Sequence, residues 1–239
     1  MSSFTLLLRD LLALLRPPKL ALVLGVALLA QVAYWYLGSP GPQLAAGSDY
    51  RRSLEAALPA ILWAPLLFFA LPAAALRLTG GSLRQAGLHL GDAAFGRKLL
   101  LIALPLAGAA LLVGSSFSGV QAVYPWSGDW PGRSPLHLLA WTGLYGLYYF
   151  AYEFFYRGFL LRGLEPYWGL STAIWVQTLA STLLHLGKPV PETLGAIPMG
   201  LAFAAVAVRS GSLVWPSLLH LLIGVLTDVF SLWRQGWLL

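Results

Sequence analysis

Five ionisable side chains stand inside otherwise apolar stretches of this 239-residue sequence: Glu153, Arg157, His185, His220 and Asp228. A charge in so apolar a setting is costly and needs a reason. Glu153 and Arg157 are four residues apart, so on a helix they share a face and can pair. Such a pair reads as an internal salt bridge that neutralises both charges. A carboxylate partnered by arginine is also what a hydrolytic base requires. His185 or His220, taken alone, reads as a hydrogen-bonded core or interfacial histidine. Taken with Glu153, the two imidazoles can activate a water and stabilise an oxyanion. They are equally the two-histidine, one-carboxylate set of a hydrolytic zinc site, although no HExxH helix is present. Asp228 lies two turns beyond His220 on the same face, where it pairs with Arg234 or lies near the outer interface.

The elements that carry these residues are membrane helices. Hydrophobic residues make up 58% of the chain and charged residues only 10%, against about 25% charged in ordinary soluble domains. That excludes disorder and disfavours a water-soluble globule. No cysteine is present, so disulfide scaffolds, thiolate metal sites and a cysteine nucleophile are excluded. The net charge of +6 does not indicate nucleic acid, because the basic residues form short clusters between long apolar runs. A spanning helix needs about 20 mostly apolar residues, and seven runs qualify: Leu20–Leu37, Ser53–Leu76, Leu99–Gly114, Leu136–Leu164, Leu170–Leu186, Glu192–Val208 and Ser212–Trp233. Phe4–Leu15, with Arg9 and Asp10, reads as an amphipathic interfacial helix. The expectation is an all-α, polytopic transmembrane bundle: one integral membrane domain over residues 1–239. With the N-terminus inside, ten Lys and Arg residues fall on inner segments and five on outer ones (Arg51, Arg52, Arg133, Lys188 and Arg234). The positive-inside rule therefore favours that orientation. Twelve Arg against three Lys, with abundant Ala, Gly and Pro, points to a GC-rich bacterial source and a bacterial cytoplasmic membrane.

Depth arithmetic brings the polar residues together. If the fourth and fifth spans turn around Pro166, Glu153 is about 20 Å up its helix, His185 about 22 Å and His220 about 14 Å, at 1.5 Å per residue. All three reach a common layer. The run Glu153-Phe154-Phe155-Tyr156-Arg157-Gly158, then His185 on the next helix, then His220 two helices later, resembles the CPBP family. These are the CAAX-protease and bacteriocin-processing, or Abi, intramembrane peptidases. Their pattern is Glu-Glu-x-x-x-Arg, Phe-x-x-x-His and His-x-x-x-Asn (or Asp). The resemblance covers 136–230. Arg157, His185 and His220 match directly, and Glu153 takes the second glutamate position. Tyr152 stands at the first glutamate, Ser181 at the phenylalanine and Gly224 at the final asparagine.

The resemblance implies a membrane-embedded endopeptidase acting on a peptide or lipidated protein near the membrane. Glu153, oriented by Arg157 and helped by His185, would deprotonate a water, and His220 would stabilise the oxyanion. Either a glutamate-activated water or a metal such as zinc, held by Glu153, His185 and His220, fits the pattern. The departures leave three readings. Glu153 takes over as base; Tyr152 contributes a phenol and Asp228 replaces the asparagine from one turn further on; or the chain is a non-catalytic membrane scaffold or immunity protein. A transporter is disfavoured, because no inverted repeat is visible. Glu192, following Pro191 at a helix start, reads as a dipole-capping residue. Lys188 reads as a residue at the cavity rim, and Gly224 as room beside His220. His89 and Asp92 read as residues of a solvated inner loop.

Overall fold

Prolines, glycines and short polar residues mark the helix boundaries of this chain. The computed structural model describes residues 3–14, 17–45 and 52–238. Among these residues it contains helices and no strand. In chain order the helices are α1 (Ser3–Leu14), α2 (Pro18–Leu37), α3 (Gly41–Ala45), α4 (Leu54–Ala64), α5 (Leu71–Leu78), α6 (Ala93–Gly114), α7 (Ser118–Val123), α8 (Pro135–Glu153), α9 (Leu161–Leu183), α10 (Val190–Ser210) and α11 (Val214–Arg234). Widened π-helical turns join α4 to α5 at Pro65–Ala70, and α8 to α9 at Phe154–Leu160. Pro18, Pro135 and Pro191 stand in first turns, where a missing N–H costs nothing. Ser53, Asp92 and Ser134 cap α4, α6 and α8 with their side-chain oxygens. Helix α10 ends on Gly211 at φ 66°, a left-handed cap suited to glycine.

Five helical stretches are long and apolar enough to cross a membrane: Pro18–Leu37, Leu54–Leu78, Ala93–Gly114, Val190–Ser210 and Val214–Arg234. The fourth and fifth spans expected from the sequence are not among them. Helix α8 is rich in aromatic residues that are only weakly lipophilic. Its Trp141, Tyr145, Tyr148, Tyr149 and Tyr152 are buried in protein. Helix α9 is broken at Gly169, whose φ of 75° and ψ of 161° leave the helix. The chain therefore reverses at Gly169, three residues beyond the expected turn at Pro166, because glycine tolerates that backbone geometry. The reversal is sharp. Tyr152 Oη approaches the Ser181 carbonyl at 3.5 Å, although the two are 29 residues apart. In one straight helix they would be about 44 Å apart.

Around this hairpin the core is aromatic. Phe68 stacks on Phe155 with centroids 4.6 Å apart, and Phe69 meets Phe154 edge-on at 4.7 Å. The two π-helical turns thus lie against each other. Gln31 on α2 donates to the Ala180 carbonyl at 2.9 Å and accepts from Tyr156 at 3.2 Å. Helix α1 is exposed along its described length, with Phe4, Leu7 and Leu11 uncovered, as an interfacial helix would be. Of the residues used to orient the chain, Arg16 and Arg51 lie outside the described residues.

The two ends of the bundle are tied differently. At one end the 79–92 connection meets the turn between α10 and α11. Leu213 N–H donates to the Gly87 carbonyl at 2.9 Å, the Ser212 hydroxyl donates to the His89 carbonyl, and Arg209 pairs with Asp92 at 3.0 Å. Asp92 is thus a cap and an ion-pair partner. The Phe95 N–H, then Arg209, hold its carboxyl below the usual carboxylate range. At the other end Arg52 donates to the carbonyls of Gln121 and Tyr124 and to Gln235.

Helices α6 and α11 pack through Gly96. Trp215, pinned by its indole N–H to the Leu90 carbonyl at 2.7 Å, occupies the space a β-carbon at 96 would need. Gly108, on the same helix, has nothing within 4 Å of its β-position. Gly96→Val is expected to lower stability by about 1–3 kcal/mol through overpacking, while Gly108→Val does not. Thermal unfolding of the two purified variants in detergent checks this. Equal melting temperatures would contradict the contact.

Candidate active site

Glu153 ends α8, one residue before the π-helical turn that carries Arg157. Both side chains are almost wholly buried, at 0% and 1% exposure. Arg157 Nη1 donates to Glu153 Oε1 at 3.2 Å. His220 Nδ1, arriving from α11, lies 2.7 Å from the same oxygen. A carboxylate can only accept, so this contact assigns the His220 proton to Nδ1 and leaves Nε2 as an acceptor. The imidazole is clamped between rings. Phe203 stacks on it at 4.7 Å and 17°, and Tyr149 lies 4.3 Å from it. Arg157 supplies the countercharge to Glu153 and sits over the faces of Tyr152 and Phe203 at 5.6 Å each.

His185 lies in the turn after α9. Its Nδ1 is 2.8 Å from the Ser181 carbonyl, another pure acceptor, so its Nε2 is also bare. Thr193 of α10 donates to the His185 carbonyl at 2.8 Å and fixes that turn against the helix start. His185 and His220 line one cavity of about 360 Å³. Its walls include Leu111, Phe117, Val120, Met199 and Ile223, and its polar lining includes Tyr124, Tyr149, Tyr152, Lys188 and Glu192.

The structure thus brings Glu153, Arg157 and His220 into direct contact and places His185 on the same cavity as His220. Glu153 itself stands behind His220, outside the cavity lining. Tyr152 lines the cavity, with its ring 5.2 Å from that of His220 and 6.5 Å from that of His185. Asp228 is elsewhere. It is fully buried and accepts from Trp141 Nε1 at 2.6 Å. It does not meet Arg234, whose guanidinium lies over Trp233 and reaches the Leu112 carbonyl. The space at Gly224 is not open either, because the Tyr149 phenol fills it.

Glu192 is the residue that sequence reasoning placed least well. It is not only a helix-start residue. Its Oε1 accepts from Tyr124 at 2.6 Å and from Lys188 at 2.8 Å, on the cavity wall. Lys188 also donates to Tyr124 at 3.2 Å and lies 4.9 Å from the Trp126 ring centre. The four-residue spacing of Lys188 and Glu192 was the available signal. It was masked by Pro189 and Pro191, which suggest a helix start and not a cavity wall.

A zinc site built from Glu153, His185 and His220 does not fit this geometry. The two bare Nε2 atoms are in the state zinc-ligating imidazoles adopt, with Nδ1 bonded to an acceptor, but Glu153 does not join them, because it stands behind His220 and outside the cavity lining. Among the described residues no three His, Asp or Glu side chains are grouped to hold a metal ion. What the arrangement offers is a pair of bare imidazole nitrogens on a largely apolar cavity, one of them backed by an arginine-paired carboxylate.

Residues 133–226 match the family model described as Type II CAAX prenyl endopeptidase Rce1-like. No curated protein and no solved structure matches the chain. The matched segment begins just before α8 and ends within α11, so it contains Glu153, Arg157, His185 and His220. Over that segment the chain is similar to the type II CAAX prenyl endopeptidases, the same CAAX-protease family its motif residues resemble.

Proposed function

We propose that this protein is an intramembrane endopeptidase of the CAAX-protease type. It hydrolyses a peptide bond near the membrane with a histidine-activated water. The observation that carries the reading is the cavity shared by His185 and His220, with Glu153 and Arg157 locked behind His220. The chain forms a single integral membrane domain over 1–239, with 136–230 as the catalytic core. Seven spans cross a bacterial cytoplasmic membrane with the N-terminus inside. The aromatic α8 and the short arm of α9 after Gly169 supply the two spans beyond the five most apolar stretches. In that orientation the cavity, walled by Tyr124, Trp126 and Lys188, opens toward the outer face. Its apolar walls suit the side chains of a hydrophobic peptide or a lipidated protein.

In this mechanism a water in the cavity loses a proton to His220 Nε2 while its oxygen bonds to the scissile carbonyl carbon. The carbonyl π pair moves onto oxygen. Glu153, holding Nδ1–H, stabilises the imidazolium that forms, as the buried acid of a histidine dyad does. The tetrahedral intermediate then collapses and the C–N bond breaks. The amine leaves with the proton that His220 carried. This assigns Glu153 a positioning role in place of direct water activation. His185 holds the water from the opposite side through its own bare nitrogen.

The test is cleavage of an apolar peptide by the purified protein in a bilayer. His220→Ala is expected to lose at least about 100-fold in kcat/KM, the scale of a general base, with His185→Ala also impaired. Wild-type rates in both variants would reject the site. A second experiment separates catalysis from folding. Arg157→Met is expected to cost about 3–5 kcal/mol, because it strands the Glu153 charge. The double variant Glu153→Leu with Arg157→Met recovers stability, since both buried charges are gone, but not cleavage. A stable double variant that still cleaves would make the pair purely structural.

A further inference from the structure

Hydrolysis of an amide needs a donor for the oxygen that becomes charged, as well as a base for the water. The cavity is short of free donors at its surface; the Trp126 indole N–H has no partner, but it is buried away from that surface. Both histidines present bare Nε2 atoms, because each Nδ1 proton is committed. Arg157 is turned to Glu153, outside the cavity lining. Tyr124 donates to Glu192, and Tyr152 faces the Ser181 carbonyl. Lys188 is engaged by Glu192 and Tyr124. Ser115 and Thr227 donate to carbonyls of their own helices.

Tyr149 differs. It lines the cavity, is only 9% exposed, and its hydroxyl is hydrogen-bonded to no acceptor among the described residues. It stands one helical turn before Glu153, so the two project from α8 toward the same partner, His220. Gly224 creates the seat. A β-carbon at 224 would come within 2.7 Å of Tyr149 Cζ and closer still to the hydroxyl. Any other residue there would displace the phenol from its place beside the imidazole.

We propose that the Tyr149 hydroxyl is the oxyanion donor of this cavity. The assignment rests on the peptidase reading above. As the carbonyl π pair moves onto oxygen, that oxygen accepts a hydrogen bond from Tyr149 O–H, while the water's proton goes to His220. No bond to Tyr149 forms or breaks. The base and the donor then sit side by side on one wall, 4.3 Å apart between ring centres.

The experiment uses the full-length protein in detergent and two ligands, acetyl-leucyl-leucyl-norleucinal and the corresponding alcohol. The aldehyde's hydrate carries two oxygens on one tetrahedral carbon, one for the attacking water's place beside His220 and one for the oxyanion's place at the donor; the alcohol carries a single oxygen and cannot fill both. Tryptophan fluorescence titration gives both affinities. The wild type is expected to prefer the aldehyde by about 10-fold or more, within the range of transition-state analogues. Tyr149→Phe is expected to lose that preference while its affinity for the alcohol and its Tm stay unchanged. With a cleavable peptide, the same variant is expected to lose about 100-fold in kcat at constant KM. A Tyr149→Phe protein that keeps the preference overturns this assignment and leaves the peptidase reading standing. A clear fall in its Tm would give the hydroxyl a structural role and also overturn the assignment. A wild type with no preference for the aldehyde overturns the peptidase reading, and this assignment with it.

Discussion

One oxygen atom constrains the centre of this protein. Glu153 Oε1 receives Arg157 from its own helix and His220 from α11. A buried carboxylate is tolerable only when its charge is met by a partner. Meeting that demand with groups from two helices fixes the register of α11 against α8. It also sets the tautomer and plane of the His220 ring, which Phe203 and Tyr149 then clamp from its two sides. The chemistry available in the cavity is therefore a by-product of solving a burial problem.

The surrounding packing holds that solution in place. The π-helical turn after Glu153 spreads Phe154, Phe155 and Tyr156 toward α2 and the α4–α5 helix, where Phe68 and Phe69 receive them. An extra residue in a helical turn shifts the faces on either side of it relative to each other. Here it lets α8 present tyrosines to the cavity, while the following turn presents phenylalanines to the core. Gln31, bonded to both Tyr156 and the Ala180 carbonyl, pins the returning arm of α9 to α2. That arm carries Ser181, whose carbonyl orients His185. The two histidines are thus held by separate routes that meet at the cavity.

Much of this was legible in the sequence, and the rest has identifiable reasons. The Glu153–Arg157 pair follows from helical spacing alone. The convergence of His185 and His220 follows from counting residues up their two helices from the same end of the bundle, and it survives the displacement of the turn from Pro166 to Gly169. Spans four and five were read from apolar content. The burial of span four depends on Trp141 and the tyrosines of α8, whose partners lie far away in the chain, and the break in α9 depends on the backbone of Gly169; no local apolar pattern shows either. Tyr149 was invisible as a functional group because its position depends on an absence, the missing side chain of Gly224, 75 residues later. Asp228 shows the reverse. Its spacing from His220 suggested cooperation, but Trp141 from α8 takes its carboxylate instead.

The arginine that neutralises Glu153 is four residues away in the same segment, so the pair needs no tertiary contact to form. A helix entering the lipid bilayer can close it at the moment of insertion, before α11 has been synthesised. A segment that enters hydrocarbon with such a pair closed carries a neutral dipole in place of two separate charges, each of which would cost about 3 kcal/mol at the bilayer centre. Had the countercharge come from a later helix, the nascent chain would have had to hold an unpaired carboxylate in lipid until its partner arrived. Placing it within one turn makes the most polar part of the protein compatible with co-translational membrane assembly.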